Sequence, residues 1–150
     1  MAPWLNDLAR AAKRNRRALA KGEGEMARIF LDAGGVLEHI QARSLAAAIE
    51  RAIPYRFEGA AHRIVDAEAC VRRGYGACGD GAAIALAVLS FTEWRVSLCY
   101  ETVPGHPDYA HTRVIVDGVP VEPWPSARDP RATGCTFTVD GLALLHAARR

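Results

Sequence analysis

The sequence predicts one α+β domain, with helices in its first half and strands in its second. Three observations carry that reading. Apolar residues recur at helical spacing from Trp4 to about Ile53, whereas from Trp94 onward short runs alternate apolar with polar residues. Between two of those runs stands Asp117-Gly118, flanked by β-branched residues, which is the strongest short-range signal for a hairpin. At 150 residues, 50% of them apolar and 24% charged, the chain is long enough for one core and has the composition of a globular protein.

Residues 4–20 form the first helix, stopped by the glycines of KGEGE, and a shorter helix over 25–33 ends at Gly34-Gly35. VLEHIQARSLAAAIERAI follows, with Val36, Leu37, Ile40, Leu45, Ala48, Ile49 and Ala52 in a helical period. Pro54 ends it, because the residue before a proline avoids helical geometry. Residues 1–52 thus make a helical N-terminal extension to a core over 53–150, the two packed as one domain. The core opens with the extended segment YRFEG. Asp66 caps a helix over AEACVRR by accepting from its first free N–H groups. After GYGA comes a helix over 79–91, apolar almost all round and therefore central. WRVSLCYET is a strand, VPGHPDY a loop, and HTRVIV and VPVEPW are the arms of the Asp117-Gly118 hairpin. CTFTV is a further strand, and Asp140 caps a last helix, GLALLHAARR.

The net charge of +2 is unevenly placed. Residues 1–28 carry seven Lys or Arg against three acids, a net +4, and the remainder carries a net −2. ARAAKRNRRALAKG reads either as the solvated face of a surface helix or as a docking element for an acidic partner. No aromatic is interleaved with these charges, so nucleic acid is not an expected partner. No stretch reads as a secretory signal, and the longest apolar run, AAIALAVL, is too short to span a bilayer. A cytoplasmic location is the expectation, with no membrane association. In that reducing setting Cys70, Cys78, Cys99 and Cys135 are expected as thiols, Cys99 and Cys135 as buried structural ones.

Cys78 is the residue that the pattern singles out. In GYGACGDGAAIALAVL it stands among glycines where the central helix begins, not within the apolar run. At a helix N-terminus the unpaired N–H groups and the dipole favour an anion, the form in which a thiol is a nucleophile. Gly76 and Gly79 keep bulk away from the sulfur, and the Gly79 N–H is a candidate oxyanion donor, with Tyr75 a candidate lining residue. Such a nucleophile needs a base. His39 and His146 lie in helical stretches beside charged neighbours, and His62 and His106 lie in loops. His111 instead opens a strand whose register the hairpin fixes. With Asp117-Gly118 as a two-residue turn, Arg113 falls opposite Glu122 and His111 opposite Trp124. These four share one face, and Val114, Val116, Val119 and Val121 share the other. The diagonal from His111 to Glu122 lets a carboxylate orient the ring, the third role in a triad. An Arg113–Glu122 ion pair with His111 unengaged satisfies the same register.

The order of these pieces resembles the transglutaminase-like superfamily of cysteine enzymes, over roughly residues 53–125. The matching stretches are GYGACGDGAAIALAVL, with Cys78 at the nucleophile position and Asp80 as the acid two residues later; AHTRVIV, with His111 at the base position; and VEPWP, with Glu122 where the family usually has Asp before Pro. The resemblance implies a papain-like core, a central helix packed on an antiparallel sheet, in the compact form found in bacteria and their phages. It implies acyl transfer at an amide or peptide bond, most simply hydrolysis, with no cofactor and with a peptide or protein amide as substrate. In a member without activity it implies a structural or interaction module of a phage particle or bacterial complex, docked through the basic N-terminal helix. Two positions depart from the family pattern: Glu122 is one methylene longer than Asp, with Asp129 in SARDP as the alternative third residue, and Arg113 replaces an aromatic. Trp124 either walls the site or belongs to the core. Cys70, Cys78, His106 and His111 lack structural zinc spacing, so no metal is expected, and GYGACG lacks the lysine of a phosphate loop.

Overall fold

Residues 2–57, 63–132 and 134–147 are described by a computed structural model. Helices α1 (Pro3–Ala20), α2 (Gly24–Asp32), α3 (Ala42–Ala52), α4 (Ala67–Arg73) and α5 (Cys78–Leu89) come first. Strands β1 (Val96–Val103), β2 (His106–Val116), β3 (Val119–Val121) and β4 (Cys135–Asp140) follow, and α6 (Gly141–Ala147) closes the described chain. The fold is α+β, with one sheet in the order β3-β2-β1-β4 and every neighbouring pair antiparallel.

Helix α5 is buried on all sides from Gly79 to Leu89, as a helix without a polar face must be. One apolar cluster joins it to Leu8, Ala11 and Ala12 of α1 on one hand and to Leu98, Val114 and Val121 of the sheet on the other. The alanines along α1 and α5 keep side chains short where the two helices meet. Trp4 extends the contact past α5, stacking on Tyr100 of β1 with ring centroids 5.0 Å apart. The basic face of α1 is partly used inside the fold: Arg14 donates to Asp66 at 3.0 Å, and Arg16 donates to Ser90 at 2.9 Å while lying over the Phe91 ring.

Several local expectations hold atom by atom. Asp66 accepts from the Ala69 N–H at 3.0 Å and Asp140 from the Ala143 N–H at 2.8 Å, so both cap their helices. In the β2–β3 hairpin Val116 faces Val119 and Val114 faces Val121. Both turn residues take positive φ, +48° at Asp117 and +81° at Gly118, as a two-residue turn of this hand requires.

Four local readings are corrected. The helix expected over residues 36–53 is broken: a 3-10 turn at Leu37–His39 precedes α3, which starts at Ala42. The Ser44 hydroxyl accepts from the Gln41 N–H and donates to the Gln41 carbonyl, a local exchange that starts the helix there. VPGHPDY is not a loop. Gly105, at φ +79°, permits a tight turn after Pro104, so β2 begins at His106 and pairs with Val103. The strand expected over VPVEPW stops at Val121, and Glu122 to Trp124 leave the sheet. Finally, Cys99 and Cys135 are not thiols but a disulfide, Cα to Cα 5.4 Å. The strand order brings β4 beside β1, with Cys135 facing Glu101, and Cys135 is exposed where a buried residue was expected. Among the described residues no helix is long and apolar enough to cross a membrane.

Candidate active site

The start of α5 is fixed by a buried acid. Asp80, with no exposed surface, accepts from the N–H groups of Ala77 and Val65, each at 2.8 Å. Arg73 pairs with the same carboxylate at 2.7 Å and donates to the Tyr75 carbonyl at 3.0 Å. A buried carboxylate needs such partners, and here they lock the turn that carries Cys78 into the first position of the helix. On its other side the turn is tied down through Gly76, whose N–H donates to Pro54 and whose carbonyl accepts from Arg56, both at 2.9 Å.

The glycines around Cys78 are required by packing. A Cβ on Gly79 would lie 2.7 Å from Ile64, one on Gly76 2.9 Å from Ile53, and one on Gly81 3.0 Å from Trp124. The space expected to keep the sulfur open is therefore filled from behind by side chains. Trp124 is buried, donates its indole N–H to the Ile53 carbonyl at 3.0 Å, and stands 5.7 Å from the Tyr55 ring. It supports the turn from beneath. Tyr75 is half-buried between two guanidinium groups, Arg73 at 4.3 Å and Arg56 at 5.2 Å from its ring.

Opposite the turn, β2 presents His111, 2% exposed. Its Nε2 lies 2.9 and 3.1 Å from the two carboxylate oxygens of Glu122, and because a carboxylate only accepts, Nε2 carries the proton. Cys78 also acts on this ring, through a side-chain hydrogen bond and through its charge. Burial is the largest influence on the imidazole and opposes its charge. The hydrogen bonds to Cys78 and Glu122, together with their charges, outweigh burial and raise the ring from 6.5 to about 9. The structure thus brings Cys78, His111 and Glu122 together. The ion pair that competed for Glu122 is present as well, with Arg113 Nη1 at 3.4 Å, the longer of the two contacts. Asp129 is elsewhere: its carboxylate holds Arg131 at 2.7 Å, which lowers it to about 2.

Of the other histidines, His39 and His146 are exposed, His106 opens β2 and contacts Arg131, and His62 lies outside the described residues. The four cysteines separate cleanly. Cys99 and Cys135 are joined, and Cys70 is buried and pushed up to about 12, by burial first and then by the charge of Asp80. Cys78 alone is both free and partly exposed. Among the described residues no cluster of three His, Cys, Asp or Glu side chains could hold a metal ion.

Two residues escaped the sequence reading. Tyr55 lies near Cys78, and burial, followed by the charge of Cys78, raises its phenol above the ordinary value. Glu101 of β1 faces His111 across the strand pair and has no exposed surface. Its signal was the one charged residue in a strand, VSLCYETV, that is otherwise uncharged, which a buried partner would have explained. Compared with models of known protein families, with curated proteins and with solved structures, the chain matches none of them.

Proposed function

We propose that this chain is a cysteine acyl-transfer enzyme of the transglutaminase-like kind, built on a papain-like core and hydrolysing an amide or peptide bond. One observation carries the proposal: a buried imidazole held between a free thiol at a helix N-terminus and a carboxylate. In the reaction the Cys78 sulfur, its proton already held by the charged His111 ring, bonds to the substrate carbonyl carbon. The N–H groups of the first turn of α5, Gly79 among them, face the developing oxyanion. His111 then returns its proton to the leaving amine as the C–N bond breaks, leaving an acyl group on the sulfur. Water, deprotonated by His111, bonds to the acyl carbon, and the acid leaves as the C–S bond breaks, with the proton again on the ring. Glu122 stays ionised throughout and stabilises the imidazolium.

Brief alkylation with iodoacetamide followed by mass mapping should label Cys78 ahead of Cys70, and 4-nitrophenyl acetate should give a burst of nitrophenolate that Cys78→Ser abolishes. Equally slow labelling of both thiols, with no burst, would remove the enzyme reading.

A further inference from the structure

Glu101 is a carboxylate with no exposed surface in the middle of a strand, and such a group persists only when cations meet it. Two do. Arg128 reaches it with Nη2 at 2.8 Å and Nε at 3.1 Å, and spends its remaining reach on the Ala132 carbonyl at 3.2 Å. Arg113 brings Nε to 2.9 Å of Glu101 Oε1, at an angle that makes an ion pair rather than an aligned hydrogen bond. Nη1 of the same guanidinium lies 3.4 Å from Glu122 Oε2. Charges therefore alternate without interruption from Arg128 through Glu101, Arg113 and Glu122 to His111.

We propose that Arg113, anchored by the buried Glu101, is a positioning residue that holds the Glu122 carboxylate against His111. The inference rests on the triad reading of the site and adds to it the group that keeps the third member in place. Glutamate has one more rotatable bond than aspartate, and Glu122 sits just past the end of β3, where no ladder restrains it. A second contact, from Arg113 to the Oε2 that lies farther from the ring nitrogen, removes that freedom. Arginine suits this role because one rigid fork can meet two carboxylates from different nitrogens, and because it keeps its charge at any pH at which the protein is folded. Lysine, with a single ammonium, cannot span both.

The test follows the His111 ring by NMR through the neutral and alkaline range in the full chain. The groups facing that ring are Cys78 from α5, Glu101 from β1, Glu122 beyond β3 and Arg113 on its own strand. Loss of the Arg113 cation by charge alone would raise the His111 midpoint. Positioning predicts the reverse: Arg113→Met frees Glu122 and lowers the midpoint by about one unit, as losing a paired carboxylate does. Glu122→Gln should lower it as well, and the double variant should fall no further than Glu122→Gln alone, because both changes remove one interaction. Arg113→Lys should lie between wild type and Arg113→Met. Should Arg113→Met fold poorly with Glu101 left short of a partner, Glu101→Gln/Arg113→Met removes both charges and is compared with Glu101→Gln alone, so that the difference between those two reports Arg113. A raised or unchanged midpoint, or effects that simply add, would overturn the proposal. The measurement needs no turnover, so a coupled His111–Glu122–Arg113 set in a protein without acylation chemistry would refute the enzyme reading and leave this one standing.

Discussion

Along its length α5 meets α1 and the sheet through alanine, leucine, isoleucine and valine side chains, whereas at its N-terminal end it is met by charge. Asp80 with Arg73 fixes the turn, and beyond the turn lie His111, Glu122, Arg113, Glu101 and Arg128. Apolar contact is non-directional and loses strength by degrees as area is removed. A buried ionic set is directional, and deleting one member leaves its neighbour uncompensated. The body of α5 should therefore govern how stable the protein is, and its N-terminal end what the protein can do.

Glu122→Gln should cut turnover by about 10²–10⁴-fold with the fold intact, because the imidazolium loses its charged orienter. Turnover that survives this change but collapses in Asp129→Asn would move the third role to the loop. On the apolar side, Leu8→Ala should lower unfolding stability in denaturant by about 2–5 kcal/mol and leave the Cys78 alkylation rate of the remaining folded protein untouched. A slowed alkylation would show that the two regions are not separable.

Protonation offers a subtler probe. Folding raises His111 from 6.5 to about 9, so its contribution to stability is fully present below about pH 6.5 and is lost as pH rises through about 9. The difference in melting temperature between wild type and His111→Gln should shrink over that window, and a constant difference would contradict a charged ring in the folded state. The smallest effect belongs to Asp129→Asn. Its carboxylate serves Arg131 at an exposed position, so turnover should match wild type.

What was legible in the sequence was local. Asp117-Gly118 set the register that brought Glu122 within reach of His111, and Asp66 and Asp140 announced their helices because a cap acts within three residues. Cys78 was legible because a helix start, a glycine pair and an acid lie side by side. What stayed hidden depends on strand order and on partners far apart in the chain. Glu101 meets Arg128 across 27 positions, and Cys99 meets Cys135 only because β4 returns to lie beside β1. The paired prolines of VPGHPDY concealed a turn that needed only Gly105, and Gly79 looked open until Ile64 was placed against it.

The burial of α5 against α1 also has a consequence in time. The two helices are separated by nearly sixty residues of chain, so at synthesis rates of about 5–20 residues per second α1 leaves the ribosome several seconds before its partner exists. During that interval Leu5, Leu8, Ala9, Ala11 and Ala12 have only the short helix α2 to pack on, and an isolated helix of this length is marginal in water. The positive charges on its other face, Arg10, Lys13, Arg14, Arg16 and Arg17, repel a second copy of the same waiting segment on a neighbouring nascent chain. The α1–α5 part of the core can close only once the chain has been made as far as Leu89.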